Sequence, residues 1–181
     1  MEMEKGLDSG PVYRTEICRL DGSEYADTLE YTLGKMAAAV APQTLCDIAA
    51  GKLAGVPQDQ TRVTVCRKIS KREGRFSWNY DAGRIERMSR AYFPWPGAVC
   101  DVCAPNGSRS VINICKAKVL SGFDLAPGEC ADLPGRLVVG CGSGALEILE
   151  LIPSGAKRMN AAAFRNGMRG QLPVFPEEIS I

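Results

Sequence analysis

Histidine is absent from all 181 residues of this chain. Histidine is the side chain that most often moves protons near neutral pH, because its ordinary pKa lies close to that range. The absence excludes any mechanism in which this polypeptide alone supplies a histidine acid or base. Enzymes that depend on other residues stay open.

The chain also lacks the ligands of a metal site. It has eight cysteines but one CxxC pair, Cys100 and Cys103. A tetrahedral zinc site needs a second such pair or histidines, and neither is available. A thioredoxin-like CxxC opens a helix, whereas this pair precedes a Pro-Asn-Gly turn. We therefore predict no metal site and assign the CxxC no redox function.

Long hydrophobic runs are missing as well. No segment approaches the roughly 20 apolar residues of a membrane span. Residues 1–5 are acidic and lack the basic, apolar and small-residue regions of a signal peptide. The sequence therefore predicts a cytoplasmic protein without a membrane segment.

The charge of the chain is unevenly distributed. The net charge is +1, but residues 1–61 carry a balance of −5 and residues 62–181 a balance of +6. Between residues 62 and 90 stand nine basic and three acidic residues. Such asymmetry indicates a polyanionic partner, with an ordinary solvated surface as the alternative.

The first 51 residues have the pattern of one strand and one helix. Residues 11–18 alternate apolar and polar side chains, which predicts a strand. Ser23 is the expected helix N-cap, Pro42 is expected to kink or split the helix, and Gly51 to end it. The helix carries its apolar stripe at Leu29, Leu33, Met36 and Val40. Because one strand and one helix cannot enclose a core, this region predicts part of a larger layer.

A basic linker and a second helix follow. Residues 51–75 have the composition of an extended linker between two domains. Asp81 is expected to cap a short helix that runs to about Tyr92. Ile85, Met88 and Tyr92 fall on one face of it, and Arg84, Arg87 and Arg90 lie toward the other.

Beyond residue 97 the sequence changes to short β runs separated by turn residues. The expected strands are Ala98–Cys103, Ser110–Leu120, Arg136–Cys141 and Ala145–Pro153, and a short helix follows at 159–167. Asn106-Gly107 between two such runs is a strong hairpin signal. Strands of this number and length predict a small barrel or sandwich, of which an OB-like barrel is a common form.

Several short motifs occur in a fixed order. They are Met-Glu-Lys-Gly-Leu-Asp-Ser-Gly-Pro at 3–11, Lys-Ile-Ser-Lys-Arg-Glu-Gly-Arg-Phe-Ser-Trp at 68–78, Arg-Ala-Tyr-Phe-Pro-Trp-Pro-Gly-Ala at 90–98, the stretch 146–159 and Phe-Arg-Asn-Gly at 164–167. Together they resemble the methionyl-tRNA formyltransferases from about residue 3 to residue 170. Ser77 departs from the Asp usual in that family, and the cysteine content is also unusual for it.

The resemblance implies a fold and an activity. The expected fold is an α+β fragment, in which the C-terminal part of a Rossmann-like α/β formyltransferase domain (1–55) and a basic linker (56–72) precede an OB-like, tRNA-binding β-barrel domain (73–181). The implied activity transfers a formyl group from 10-formyltetrahydrofolate to the methionine amino group of initiator methionyl-tRNA.

The resemblance also implies site residues. Asp8 occupies the motif position whose carboxylate orients a catalytic histidine. The family's Asn and His precede that position and are not among these residues, so we expect a truncated chain that binds tRNA without catalysing transfer alone or holding the folate well. The expected RNA-binding residues are Arg67, Lys68, Lys71, Arg72, Arg75, Arg87, Arg90, Lys157 and Arg158. Trp95 is expected to wedge the helix against the barrel rather than stack on a base.

Two other functions stay open at this point. The chain can be a stand-alone, non-catalytic RNA-binding module, or carry the barrel of a related sugar-nucleotide formyltransferase. Trp95 and the basic linker favour the tRNA enzymes. An uncovered apolar stripe in residues 1–50 predicts self-association through the incomplete N-terminal domain.

Overall fold

The computed structural model describes residues 1–168 and 171–176. Residues 169–170 and 177–181, which fall inside the predicted barrel domain, lie outside the described part. The chain divides into two compact units, Met1–Lys68 and Ile69–Ile181, called unit 1 and unit 2 below. The boundary between them falls inside the linker predicted at 56–72, and that linker and the domain bounds around it stay predictions.

Unit 1 contains one long helix, α1 (Ala26–Ala49). It begins after Tyr25, and the predicted cap Ser23 instead donates its hydroxyl to Asp21 at 2.6 Å. The expected stop at Gly51 is confirmed. Gly51 has φ +68°, and its N–H and that of Lys52 donate to the carbonyls of Ile48 and Asp47 at 3.0 and 2.9 Å. These paired bonds form a Schellman motif.

Two other expectations for unit 1 are wrong, the first of them in part. Pro42 lies inside α1 and does not split it, while the expected kink stays a prediction. Proline removes one intrahelical hydrogen bond, but the helical turns before and after it are intact, so the helix continues through this position. Residues 11–18 form no strand: Val12 makes a single antiparallel bridge with Val56, with N–O distances of 2.8 and 2.9 Å. Alternation gives no strand where no neighbouring strand exists to pair with it.

Helix α1 buries none of its residues. Leu29, Met36 and Val40 of the predicted stripe are half-buried, and Leu33 is exposed. Unit 1 therefore provides no apolar layer that covers this helix.

Unit 2 is built on a five-stranded antiparallel sheet. Its strands are β1 (Ala98–Cys103), β2 (Arg109–Leu120), β3 (Leu137–Gly140), β4 (Ala145–Pro153) and β5 (Met159–Asn160). Their order is β1-β2-β4-β3, with β5 also pairing β4. The four predicted strands are confirmed within about one residue, and the sheet makes unit 2 an α+β structure. Closure into an OB-like barrel and a Rossmann-like origin for unit 1 stay predictions.

Two helices cover the core of this sheet. Helix α2 (Ala82–Ala91) begins as predicted at Asp81, whose carboxylate accepts from the N–H of Arg84 at 3.1 Å. Helix α3 (Ala161–Gly167) is capped by Asn160 in the same way at 2.8 Å. The core contains Trp78, Phe76, Ile85, Ile112, Ile114, Leu146, Ile148, Leu151 and Phe175. The apolar face of α2 therefore packs inward as its spacing predicts.

Candidate nucleic-acid interface

Three of the predicted RNA-binding residues lie on or beside a short 3₁₀ helix, Lys71–Gly74, which we call the basic turn. Ser70 and Glu73 form a capping box around it, with the Ser70 N–H donating to the Glu73 carboxylate. This local bonding leaves Lys71 and Arg72 exposed to solvent. In the described part of the chain neither of them forms an ion pair.

The basic turn is seated on the loop before β1. A Cβ on Gly74 would lie 2.3 Å from the carbonyl oxygen of Gly97 and 3.1 Å from a ring carbon of Pro96. Only glycine allows so close an approach. Gly97, with φ +82°, in turn lies directly against the Asn113 side chain of β2. The two glycines therefore fix the basic turn close to the sheet.

A groove of about 790 Å³ opens beside the basic turn. Its lining residues are Lys71, Arg72, Arg75, Pro96, Val99, Val111 and Ser154. They come from the basic turn, the loop before β1, the outward faces of β1 and β2, and the turn after β4. The Ser154 N–H donates to the carbonyl of Val111 at 2.8 Å, which holds that turn against β2. The groove thus combines a cationic rim with an apolar floor.

Arg75 differs from its two neighbours because a carboxylate already binds it. Its Nη1 lies 3.2 Å from an oxygen of Asp101, and the two side chains are 30% and 10% exposed. Asp101 projects from the same outward face of β1 as Val99. A phosphate that approached Arg75 would therefore compete with this carboxylate.

The remaining predicted residues of unit 2 also divide into those paired with a carboxylate and those that are exposed. Arg90 pairs with Glu86 on α2 at 2.7 Å, and Arg158 pairs with Glu150 at 2.7 Å. Arg158 also lies 5.3 Å over the Phe93 ring. The other two residues, Arg87 and Lys157, are exposed.

Arg67 and Lys68 stand at the end of unit 1 and are exposed. In the sequence they immediately precede unit 2. The structure thus pairs Arg75, Arg90 and Arg158 with acidic residues. The other six predicted residues occupy exposed positions.

Asp8, the predicted catalytic residue, is exposed and has φ +52°. Its carbonyl and that of Gly10 each accept a hydrogen bond of 2.8 Å from the Gln58 amide, which fixes the loop. Residues 1–9 line a depression of about 190 Å³. Pockets for ligands of folate size are roughly 300–1,000 Å³ and mostly apolar. The depression at residues 1–9 is smaller than this range.

Cys100 and Cys103, the CxxC pair of β1, do not come together in one site. Cys100 is buried and Cys103 is half-buried, and residues three apart on a strand project from opposite faces. Burial raises the pKa of the Cys100 thiol well above its ordinary value, with a further rise from the neighbouring Asp101 carboxylate. Among the described residues no group of three or more His, Cys, Asp or Glu side chains is placed to hold a metal ion. No helix in the described ranges is long and apolar enough to cross a membrane.

Trp95 corrects one expectation. It is 59% exposed, so it does not serve as the buried wedge expected between helix and barrel. The tryptophan buried in the core of unit 2 is Trp78, which is 0% exposed and lies 5.1 Å, ring centroid to ring centroid, from Phe76 and from Phe175. Sequence reasoning also missed Val99, Val111 and Ser154. Strand alternation was the available signal for the first two, because it directs them away from the core.

Comparison with known proteins matches most of this chain to one family. Residues 68–169 match the family described as "Formyl transferase, C-terminal domain". The chain is 35% identical over 167 residues to a methionyl-tRNA formyltransferase of Methylococcus capsulatus and 36% identical over 168 residues to that of Phenylobacterium zucineum. Each alignment covers 92% of this chain and 53% of the relative, so the chain spans about half the length of these relatives.

A solved structure shares the fold. HypX from Aquifex aeolicus, in complex with tetrahydrofolic acid, superposes with a TM-score of 0.65 at 16% sequence identity. The superposition covers 91% of this chain and 29% of HypX. At this identity the likeness establishes the fold alone.

Proposed function

We propose, from the premise that this chain belongs to the formyl transferase family through its C-terminal domain, that unit 2 holds initiator methionyl-tRNA for formylation. The relatives that match most of the chain carry the name methionyl-tRNA formyltransferase. This supports a tRNA substrate over the sugar-nucleotide alternative. The protein acts, in this proposal, in the cytoplasm.

The observation that carries the proposal is the basic turn at the rim of the groove. Lys71 and Arg72 are exposed side by side on a backbone that the Ser70–Glu73 capping box orders. Ordered cations bind phosphates and release condensed counterions, which gives affinity without sequence specificity. This suits a surface that holds a folded RNA while another domain acts on its end.

The predicted cations are not equivalent in this proposal. Lys71 and Arg72 contribute most, because in the described part of the chain no carboxylate neutralises them. Arg75, Arg90 and Arg158 contribute less, since a phosphate must share each guanidinium with an acidic partner. Arg67, Lys68, Arg87 and Lys157 extend the basic surface at exposed positions.

Formyl transfer itself needs groups that these 181 residues do not contain. We propose that Asp8 orients a histidine supplied from elsewhere, which moves the proton during attack of the amino group. Because the chain has no histidine and the depression beside Asp8 is small, we expect the 181 residues alone to bind tRNA without transferring the formyl group from 10-formyltetrahydrofolate. The alternative of a stand-alone RNA-binding module predicts the same binding but no partner that restores activity.

We also propose that unit 1 self-associates. Helix α1 has no buried residue, and Tyr31, Leu33 and Leu45 are exposed along it. A second copy of the same helix presents a complementary apolar surface.

The test of tRNA holding is fluorescence anisotropy with labelled initiator tRNA at two salt concentrations. The Lys71→Ala/Arg72→Ala variant should bind about tenfold more weakly at low salt and lower the log–log salt slope by about 2, since each phosphate contact contributes about 1. Lys116→Ala/Lys118→Ala is the matched control. It removes the same charge from exposed positions of β2 outside the groove and should have a smaller effect on both quantities.

Formyl-transfer activity is assayed on the same samples. We expect none from the wild-type chain alone. Equal effects of the two double variants would contradict the basic turn as the binding surface, and no tRNA binding at low salt would contradict RNA holding altogether.

A further inference from the structure

The floor of the groove is unlike a surface that binds phosphates alone. Pro96, Val99 and Val111 line it with apolar atoms, although a phosphate gains nothing from apolar contact. Apolar floors under cationic rims are typical of sites that bind single-stranded nucleic acid, where the cations follow the backbone and the bases lie on apolar or aromatic surfaces.

The size of the groove also suits a nucleotide. About 790 Å³ lies within the roughly 300–1,000 Å³ that small-molecule sites occupy, so the groove has room for a base with its sugar and phosphate. A base inside a duplex hides its faces in the stack, whereas an unpaired base can be turned out and bound by its face.

Trp95 offers an exposed aromatic ring next in sequence to the groove. It is 59% exposed and directly precedes the lining residue Pro96. An exposed indole offers a flat apolar ring on which a base can stack. Base–aromatic stacking strengthens single-strand binding by between about fivefold and about 150-fold per base.

We infer that the groove binds an unpaired nucleotide of RNA. Its phosphate lies on Lys71 and Arg72, and its base lies over Pro96, Val99 and Val111 beside Trp95. This inference rests on the proposed function, because it takes the bound polymer to be RNA. It goes further by assigning a base contact to a surface that phosphate binding alone leaves without a role.

The contact should tolerate any base. In the described lining, Ser154 is the uncharged side chain that offers a hydrogen-bonding group. One hydroxyl, which both donates and accepts, does not distinguish the four base edges. Apolar contact and stacking are available to every base.

The experiment compares two labelled RNAs by anisotropy at low salt. One is a single-stranded oligouridylate, and the other is a blunt duplex with the same number of phosphates. Trp95→Ala removes the indole, and Ser154→Leu narrows the groove from an exposed position. Ser121→Leu, at an exposed site outside the groove, is the matched control for the second change.

Both groove variants should weaken single-strand binding about tenfold and leave duplex binding within about twofold, whereas Ser121→Leu changes neither. Lys71→Ala/Arg72→Ala should weaken both RNAs. The tryptophan fluorescence of the wild type gives a second readout. Trp78 is fully buried, so quenching by the oligouridylate reports on Trp95.

Unchanged single-strand binding in Trp95→Ala and Ser154→Leu would overturn the nucleotide site and leave the proposed function standing. An equal loss of both RNAs in these variants, or the absence of quenching, would overturn it as well. An equal loss of tRNA binding in Lys71→Ala/Arg72→Ala and in Lys116→Ala/Lys118→Ala would instead count against the proposed function.

Discussion

Helix α1 of unit 1 and helix α2 of unit 2 both repeat apolar residues at helical spacing, but only α2 buries them. In α2, Ala82 and Ile85 are buried against the sheet and Met88 packs on the same core. In α1, which is more than twice as long, no residue is buried. Gly10 is the one buried residue of unit 1, all of which the structure describes.

The difference teaches that an apolar stripe specifies a packing face but not the partner that covers it. Full burial of a large apolar side chain contributes about 1.5–3 kcal/mol, and unit 2 gains this many times in its core. The half-buried side chains of unit 1 each gain only a fraction of this free energy. Local bonds such as the Schellman motif at Gly51 define where α1 ends, and they do not replace a core.

The largest expected effect comes from the two tryptophans, which lie in opposite environments of unit 2. Trp78→Ala should destabilise unit 2 by about 3–5 kcal/mol, because it removes a fully buried ring from contact with Phe76 and Phe175. Trp95→Ala should change stability by no more than about 0.5 kcal/mol. Urea unfolding followed by far-ultraviolet circular dichroism measures both without a tryptophan signal.

Similar losses in the two variants would break the comparison, because they would mean that Trp95 contributes to the core despite its exposure. A small loss in Trp78→Ala would mean that the unit 2 core tolerates a large cavity.

Much of the unit 2 fold was predictable, because its signals are local. Asp81 caps α2, and Asn106-Gly107 joins β1 to β2 in the positions expected from turn and capping chemistry. Apart from the expected wedge at Trp95, the errors fall in unit 1. The alternation of residues 11–18 indicated a strand, but a strand needs a neighbour, and one sequence segment cannot specify it. Pro42 failed as a helix breaker because the turns on both sides hold it.

The site was only partly predictable for a related reason. The basic turn and the residue after it stand out as a local charge run, so the sequence was enough to name Lys71, Arg72 and Arg75 as candidates. The groove floor joins residues as distant in sequence as Pro96, Val111 and Ser154, which strand pairing alone brings together. The pairing of Arg75 with Asp101 was hidden likewise, because 26 residues separate them.

A smaller effect is expected from the uncovered surface of unit 1. The apparent mass of the chain should rise with concentration, and Leu33→Gln/Leu45→Gln should weaken this association about tenfold, or roughly 1.4 kcal/mol, by removing exposed apolar area. Sedimentation velocity over a concentration series measures it. Ala37→Gln/Ala41→Gln alters exposed but small side chains of the same helix and should have little effect. A monomer at every concentration would sink the proposal of self-association.

The smallest expected effect compares one ion pair from each unit. The hydrogen bonds from Arg136, which directly precedes β3, lower the pKa of Glu147, whose side chain is 14% exposed. Arg14 and Glu16 form a pair at a similar distance, but both side chains are well exposed. Glu147→Gln should therefore cost no more than about 1 kcal/mol at neutral pH, and Glu16→Gln should cost nothing measurable.

The pH dependence of that difference has a definite sign. A carboxylate whose pKa is lowered on folding stabilises the folded state above its unfolded pKa, about 4.3 for glutamate, and this stabilisation is lost as the pH falls through the folded value. The wild type and Glu147→Gln should therefore converge in stability on acidification. Urea unfolding between neutral and acidic pH measures both curves. A stability difference between the wild type and Glu147→Gln that persists below the folded-state pKa of Glu147 would show that this side chain acts through packing. The ion pair would then stabilise unit 2 in the same way as its buried core does.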